Sequence, residues 1–192
     1  MMRFERVPKP PGFKEVEDSG RAWLDAPVDN RAKQRPSLWV RYSEKLAEGF
    51  RHLCGYSAVY VANGQVDHFV SEKEDPRRLY DWDNYRYADG WLNASKKDLR
   101  SDQLLDPFDV QDGWFEIILP SLQLVVTEAC PADRRERAER MLTRLRLSHD
   151  ERVVRYRREW YRMYQDGELT FEGLAKKAPL IARAVSKQRG AT

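Results

Sequence analysis

The sequence predicts an α+β fold: a β-hairpin followed by a short helix, then a second hairpin, then a helical C-terminal third. Three observations carry this. Asn63-Gly64 separates the strand-like segments Ser57-Ala58-Val59-Tyr60-Val61 and Gln65-Val66-Asp67-His68-Phe69-Val70, and this dipeptide is the strongest short signal for a tight hairpin turn. Two apolar runs, Trp114–Leu119 and Leu122–Thr127, flank Pro120-Ser121. Beyond Pro131 the apolar residues recur at helical spacing.

Composition bounds the class. Of 192 residues 41% are hydrophobic and 34% charged, which predicts a globular chain with a real core. No stretch approaches the roughly 18 apolar residues of a spanning helix. Met1-Met2-Arg3-Phe4-Glu5-Arg6 lacks the apolar run of a secretory signal, so a cytoplasmic location without membrane partners is expected. Cys54 and Cys130 are too few for a disulfide framework. The net charge of +3 says little about nucleic acid, because distribution matters more than the sum. Arginines concentrate between Arg134 and Arg162, interleaved with Glu136, Glu139, Glu151 and Glu159. That pattern reads as a solvated, ion-paired helix face, with phosphate contact as the sharper alternative.

Along the chain, residues 1–36, rich in Pro, Lys, Asp and Glu, read as an irregular arm. A helix is expected near Trp39–Leu53, where Trp39, Tyr42, Leu46 and Phe50 recur at helical spacing. The first hairpin, a polar loop from Ser71 to Arg78, the segment Asp81-Trp82-Asp83-Asn84 and a short helix from about Trp91 carrying Asn93, Lys96 and Lys97 complete a core over 37–128. Residues 129–192 form a helical extension packed on that core. Pro131 suits a first helical turn, and Ala138, Met141, Leu142 and Leu145 make one apolar stripe. Ser148-His149-Asp150-Glu151 has capping-box spacing before a helix with Val153, Tyr156, Trp160 and Met163 on one face. Asp166-Gly167 breaks it, Thr170 caps the next, and Pro179 kinks or restarts the last.

Three histidines exist: His52, His68 and His149. His52, near a helix end, and His149, in a capping segment, read as structural or exposed. His68 directly follows Asp67 on a strand leaving a turn. Alone, this pair is more often a polar pair at a sheet edge. Followed by Asp81-Trp82-Asp83-Asn84 and then Leu92-Asn93-Ala94-Ser95-Lys96, it resembles the HNH endonuclease family, in which an Asp-His strand, a D-W-D-N-like loop and a helix bearing Asn or His recur in that order. The Pro-rich opening, the tryptophan-bearing helix, the Cys54-Gly55-Tyr56-Ser57 knuckle and Asp106-Pro107-Phe108 further resemble the HNH effectors of retron and Septu-type antiphage systems.

The resemblance implies a ββα-metal core and metal-dependent hydrolysis of DNA. His68 would be the general base, suited by a pKa near working pH. Asn84 would complete the catalytic pair by fastening backbone in the connecting loop. Asp67 and Asn93 would hold Mg²⁺ (or Mn²⁺) through hard oxygen ligands. Lys96, one turn past Asn93, would meet a phosphate. A partner ATPase or reverse transcriptase is implied by the same subgroup. The chain departs from the family at its zinc knuckles: Ser57 stands at the second ligand position, and Asp89 and Leu92 stand where C-x-x-C would sit. No structural zinc is therefore expected, with packing around Tyr56, Trp82, Trp91 and Leu92 in its place. The alternative is a catalytically inactive interaction module with this fold, docking a partner ATPase or nucleic acid.

Overall fold

A computed structural model describes residues 1–27, 36–97 and 99–190. It is a mixed α+β structure with, among the described residues, seven α-helices and two antiparallel two-stranded sheets. The order is α1 (Phe13–Asp25), a 3-10 turn (Leu38–Tyr42), α2 (Ser43–Gly49), β1 (Gln65–His68), β2 (Tyr85–Ala88), α3 (Gly90–Lys96), β3 (Phe115–Ile118), β4 (Gln123–Val126), α4 (Ala132–Arg144), α5 (Glu151–Gln165), α6 (Phe171–Lys177) and α7 (Pro179–Gly190).

The N-terminal arm is not irregular throughout; its positions 28–35 lie outside the described residues. Residues 13–25 are helical, and Phe13, Val16 and Gly20 form the buried face. Gly12 opens this helix at φ 79°, a left-handed conformation costly for other residues. Only a few buried positions are spread among charged neighbours, which is why composition hides the helix. Gly20 lies flat on Tyr80, where a Cβ would come within 2.1 Å of the ring. Farther on, the helix expected over Trp39–Leu53 is a 3-10 turn followed by α2, and it stops at Gly49.

The first hairpin differs from expectation in its partner strand. β1 pairs with β2 in the register Gln65↔Ala88, Val66↔Tyr87, Asp67↔Arg86 and His68↔Tyr85. Segment 57–61 contributes only a bridge between Tyr60 and Leu53. Its backbone groups and those of the preceding residues are spent on a knuckle: Ala58 N–H donates to Cys54 O (2.8 Å), Cys54 N–H to Val59 O (2.9 Å) and Gly55 N–H to Tyr87 O (2.8 Å). A backbone donor or acceptor used in a tight turn is lost to a ladder. Asn63-Gly64 still turns the chain, and Gly64 N–H donates to the Tyr87 hydroxyl at 2.8 Å. A Cβ at Gly64 would lie 2.4 Å from that ring.

The second hairpin pairs as expected, Phe115↔Val126 to Ile118↔Gln123. β3 packs on α7 and β4 on α4. Ala138, Met141, Leu142 and Leu145 are buried, as their spacing predicts. The capping box at Ser148 does not form; Asp150 caps α5, its side chain accepting from Arg152 N–H. The inward face of α5 is also rotated from expectation. Val153 and Arg157 are buried, whereas Tyr156 is 56% exposed. Arg157 reaches the backbone of the preceding loops, donating to Leu122 O (3.0 Å), Leu147 O (2.7 Å) and Ser148 O (3.1 Å). Thr170 caps α6, and Pro179 restarts the chain as α7. One cluster of buried residues runs from Met1 through Tyr56, Trp82 and Leu92 to Val185. Among the described residues no helix is long and apolar enough to cross a membrane.

Candidate functional site

β1 presents alternate residues to opposite faces. Gln65 and Asp67 meet α3, and His68 turns the other way. Its half-buried ring lies edge-on to Trp39 (centroids 4.7 Å) and Tyr85 (5.0 Å). Nε2 sits 3.0 Å from Leu79 O. A carbonyl only accepts, so Nε2 carries the proton, and the basic nitrogen of the neutral ring is Nδ1. Leu79 O also accepts the Tyr85 hydroxyl at 2.9 Å.

Asn84 holds the loop that carries this carbonyl. Its Oδ1 accepts from Val70 N–H (2.7 Å), and its Nδ2 donates to Val70 O (2.9 Å) and Arg78 O (2.9 Å). Asn84 is fully buried, and removing such bonds from a buried backbone is expensive. Asp81 fixes the start of the Trp82–Asn84 turn by accepting from Asp83 N–H at 3.0 Å. The Trp82 indole N–H donates to Val7 O at 2.8 Å, tying the turn to the N-terminal segment.

Asp67 is buried, and both of its oxygens are engaged. Oδ1 accepts from the Lys96 ammonium at 3.0 Å, and Oδ2 from the Tyr56 hydroxyl at 2.5 Å. The Lys96 ammonium also donates to His68 O at 2.6 Å. Side-chain exposure is 1% for Lys96 and 3% for Asp67. Across the ladder from Asp67 stands Arg86, itself buried and paired in a two-pronged fashion with Asp106. Arg86 also covers the Phe108 ring, 4.0 Å from its centroid. The result is a set of two carboxylates and two cations in charge balance, buried except for the partly exposed Asp106. Burial, then the neighbouring Asp67 charge, pushes the Tyr56 phenol well above its usual pKa, so it remains a neutral donor.

The structure therefore gathers Asp67, Lys96 and the His68 backbone at one place and turns the His68 ring to another. Asn93 lies on the β1 side of α3, its Nδ2 donating to Gln65 Oε1 at 3.1 Å. Lys96 shares that side, as the i, i+3 spacing requires, but α3 lies against the sheet, so the lysine points inward rather than to solvent. As folded, this set does not fit a divalent ion at Asp67: the carboxylate is buried, hydrogen-bonded on both oxygens and neutralised by an ammonium. Among the described residues, no group of three or more His, Cys, Asp and Glu side chains is placed to hold a metal.

The knuckle positions converge too. Cys54 is buried, which pushes its thiol pKa up against the hydrogen bonds from the Asp89, Ser57 and Tyr56 backbone. Ser57, Asp89 and Leu92 line one cavity of about 330 Å³. Asp89 caps α3 by accepting from Trp91 N–H (2.9 Å) and Leu92 N–H (3.3 Å). Sequence reading missed Tyr56 as a partner of Asp67, and Arg86 with Asp106 as the second ion pair. The β1–β2 register places Arg86 opposite Asp67, whereas Tyr56 and Asp106 come from segments outside the hairpin. The arginine-rich helices carry exposed ion pairs, among them Arg140–Glu136, Arg162–Glu159 and Arg162–Asp166. No protein-family model matches this chain, and no curated protein matches it significantly.

Proposed function

We propose that the chain is an HNH-type DNA endonuclease with His68 as its general base, acting as an effector of antiphage defence. One observation carries the reading: Nε2 of His68 donates to Leu79 O, on a loop that Asn84 clamps, so the neutral ring is held in one orientation with Nδ1 as its basic nitrogen. Water attacking a phosphodiester phosphorus must lose a proton as its P–O bond forms and the leaving P–O bond breaks. A neutral imidazole of fixed orientation accepts that proton. Asn84 is a positioning residue in this scheme, since it touches the loop and not the ring. The order of Asp67, His68, Asn84 and Asn93 on strand, loop and helix supports the family reading, and the defence role rests on the resemblance over Cys54–Phe108.

The test is conversion of supercoiled plasmid to nicked or linear DNA by the purified chain, with Mg²⁺ or Mn²⁺ and with the product of the neighbouring gene. Cleavage by wild type that is lost in His68→Ala supports the reading. Intact DNA under all conditions, or cleavage undiminished in His68→Ala, refutes it. The second reading, an interaction module with this fold, is favoured by the closed state of Asp67. It expects binding to a partner ATPase or nucleic acid that survives His68→Ala.

A further inference from the structure

We infer that Lys96 is the resident cation of the strand–helix site and excludes divalent ions from Asp67. The argument starts from charge. A buried carboxylate needs a partner, and Asp67 has one in Lys96, whose ammonium spans Asp67 Oδ1 (3.0 Å) and His68 O (2.6 Å). Tyr56 takes the other oxygen at 2.5 Å. The neighbouring Arg86 is spoken for by Asp106, so neither of the two cations has charge to spare and neither carboxylate lacks a counter-ion.

A divalent ion at Asp67 would therefore enter a balanced, nearly water-free box. It would lie within a few ångströms of an ammonium, and like charges at that distance in a poorly polarisable surrounding repel strongly. Its hydration shell would have to be replaced, yet the Asp67 oxygens already accept other donors. Lysine meets the electrostatic need of the carboxylate with a single charge and a long stem, so the pair is complete within the chain. α3 makes this possible: Asn93 and Lys96 stand one turn apart on the face that meets β1, and the longer side chain reaches the carboxylate while Asn93 bonds to Gln65.

The inference concerns the site of the nuclease reading, but its readouts are metal binding and folding, which do not depend on DNA cleavage. Free Mn²⁺ is followed by its electron paramagnetic resonance signal in the presence of the full chain, with circular dichroism reporting the fold. Wild type is expected to leave the free signal unchanged by any binding that Asp67→Asn removes. Lys96→Gln, which keeps a hydrogen-bond donor on a slightly shorter side chain without the charge, is expected to bind Mn²⁺ at least about tenfold more tightly, since a like charge is gone. Asp67→Asn/Lys96→Gln is expected to lose that gain. A wild-type Mn²⁺ site abolished by Asp67→Asn overturns the inference, as does a folded Lys96→Gln variant that binds no better than wild type. If Lys96→Gln does not fold, the comparison of wild type with Asp67→Asn still decides the matter. Plasmid cleavage is scored separately and can fail without touching either outcome.

Discussion

Asn84 and Val70 exchange two hydrogen bonds, Val70 N–H to Oδ1 at 2.7 Å and Nδ2 to Val70 O at 2.9 Å, so one side chain stands in for a strand partner just past the end of β1. The ladder itself stops at His68↔Tyr85, and Phe69 N–H donates to Asn84 O at 2.8 Å. The asparagine thus closes the mouth of a long loop and fixes the carbonyl that orients His68. Its replacement predicts a stability loss and a loosened histidine together.

Asn84→Ala should cost about 2–4 kcal/mol, because it removes several hydrogen bonds and leaves buried backbone groups without partners. Asn84→Asp should also destabilise, since it keeps an acceptor for Val70 N–H but loses both donors. Urea unfolding gives the magnitude, and faster exchange of the Val70 amide proton would locate the change. A variant as stable as wild type would show that the loop is held elsewhere.

The Lys96–Asp67 pair predicts strong non-additivity. Lys96→Met alone should cost about 3–5 kcal/mol, because it strands a buried charge. Adding Asp67→Asn should recover part of that loss, giving a coupling well above the roughly 0–1 kcal/mol of a surface pair. Denaturant unfolding of the four proteins measures it. Additive losses would mean that the two groups are solvated and do not depend on each other.

Tyr56 predicts a pH dependence on the alkaline side. Its folded pKa lies above the unfolded value of about 10, chiefly through burial and then through the Asp67 charge. Above pH ~10 the unfolded chain releases the phenolic proton while the folded chain keeps it. Its stabilising contribution is therefore fully present below that pH and is lost as pH rises toward the folded pKa, at up to about 1.4 kcal/mol per pH unit. Tyr56→Phe should flatten that part of the stability–pH curve relative to wild type, while costing about 1–2 kcal/mol near neutrality for the bond to Asp67. Parallel curves above pH ~10 would contradict the assignment.

Arg157 predicts that arginine and lysine are not interchangeable at this position. The guanidinium serves three carbonyls in two loops at once, a fan of donors that a single ammonium cannot reproduce. Arg157→Lys should cost roughly 2–3 kcal/mol, read as a lower thermal midpoint. Helical content measured by circular dichroism below the transition should stay unchanged, because α5 itself remains intact.

Much of the α+β order was legible along the chain. The stripe Ala138, Met141, Leu142, Leu145, the cap at Thr170 and the second hairpin depend on local spacing and turn chemistry, which a sequence displays directly. The order of Asp67, His68, Asn84 and Asn93 on a strand, a loop and a helix was legible, but not that the His68 ring turns to Leu79 O while Asp67 closes on Tyr56 and Lys96. The helix at 13–25 was not, since its buried face consists of only Phe13, Val16 and Gly20 among charged residues. The pairing of β1 was misread because alternation marks a strand without naming its partner.

What the sequence by itself determined is the identity and order of these groups, together with the helices whose faces and caps are local. What only the tertiary structure decided is where charges meet. Lys96 is a solvent-facing lysine by composition and a buried counter-ion by packing, because α3 lies against β1 and its i, i+3 face can reach Asp67 but not water. Arg157 likewise becomes an interior brace once the loops that carry Leu122, Leu147 and Ser148 meet its guanidinium. Side-chain charge is a property of the residue, but whether that charge faces water, a phosphate or a buried carboxylate depends on contacts between segments distant in the chain, and no local pattern encodes them.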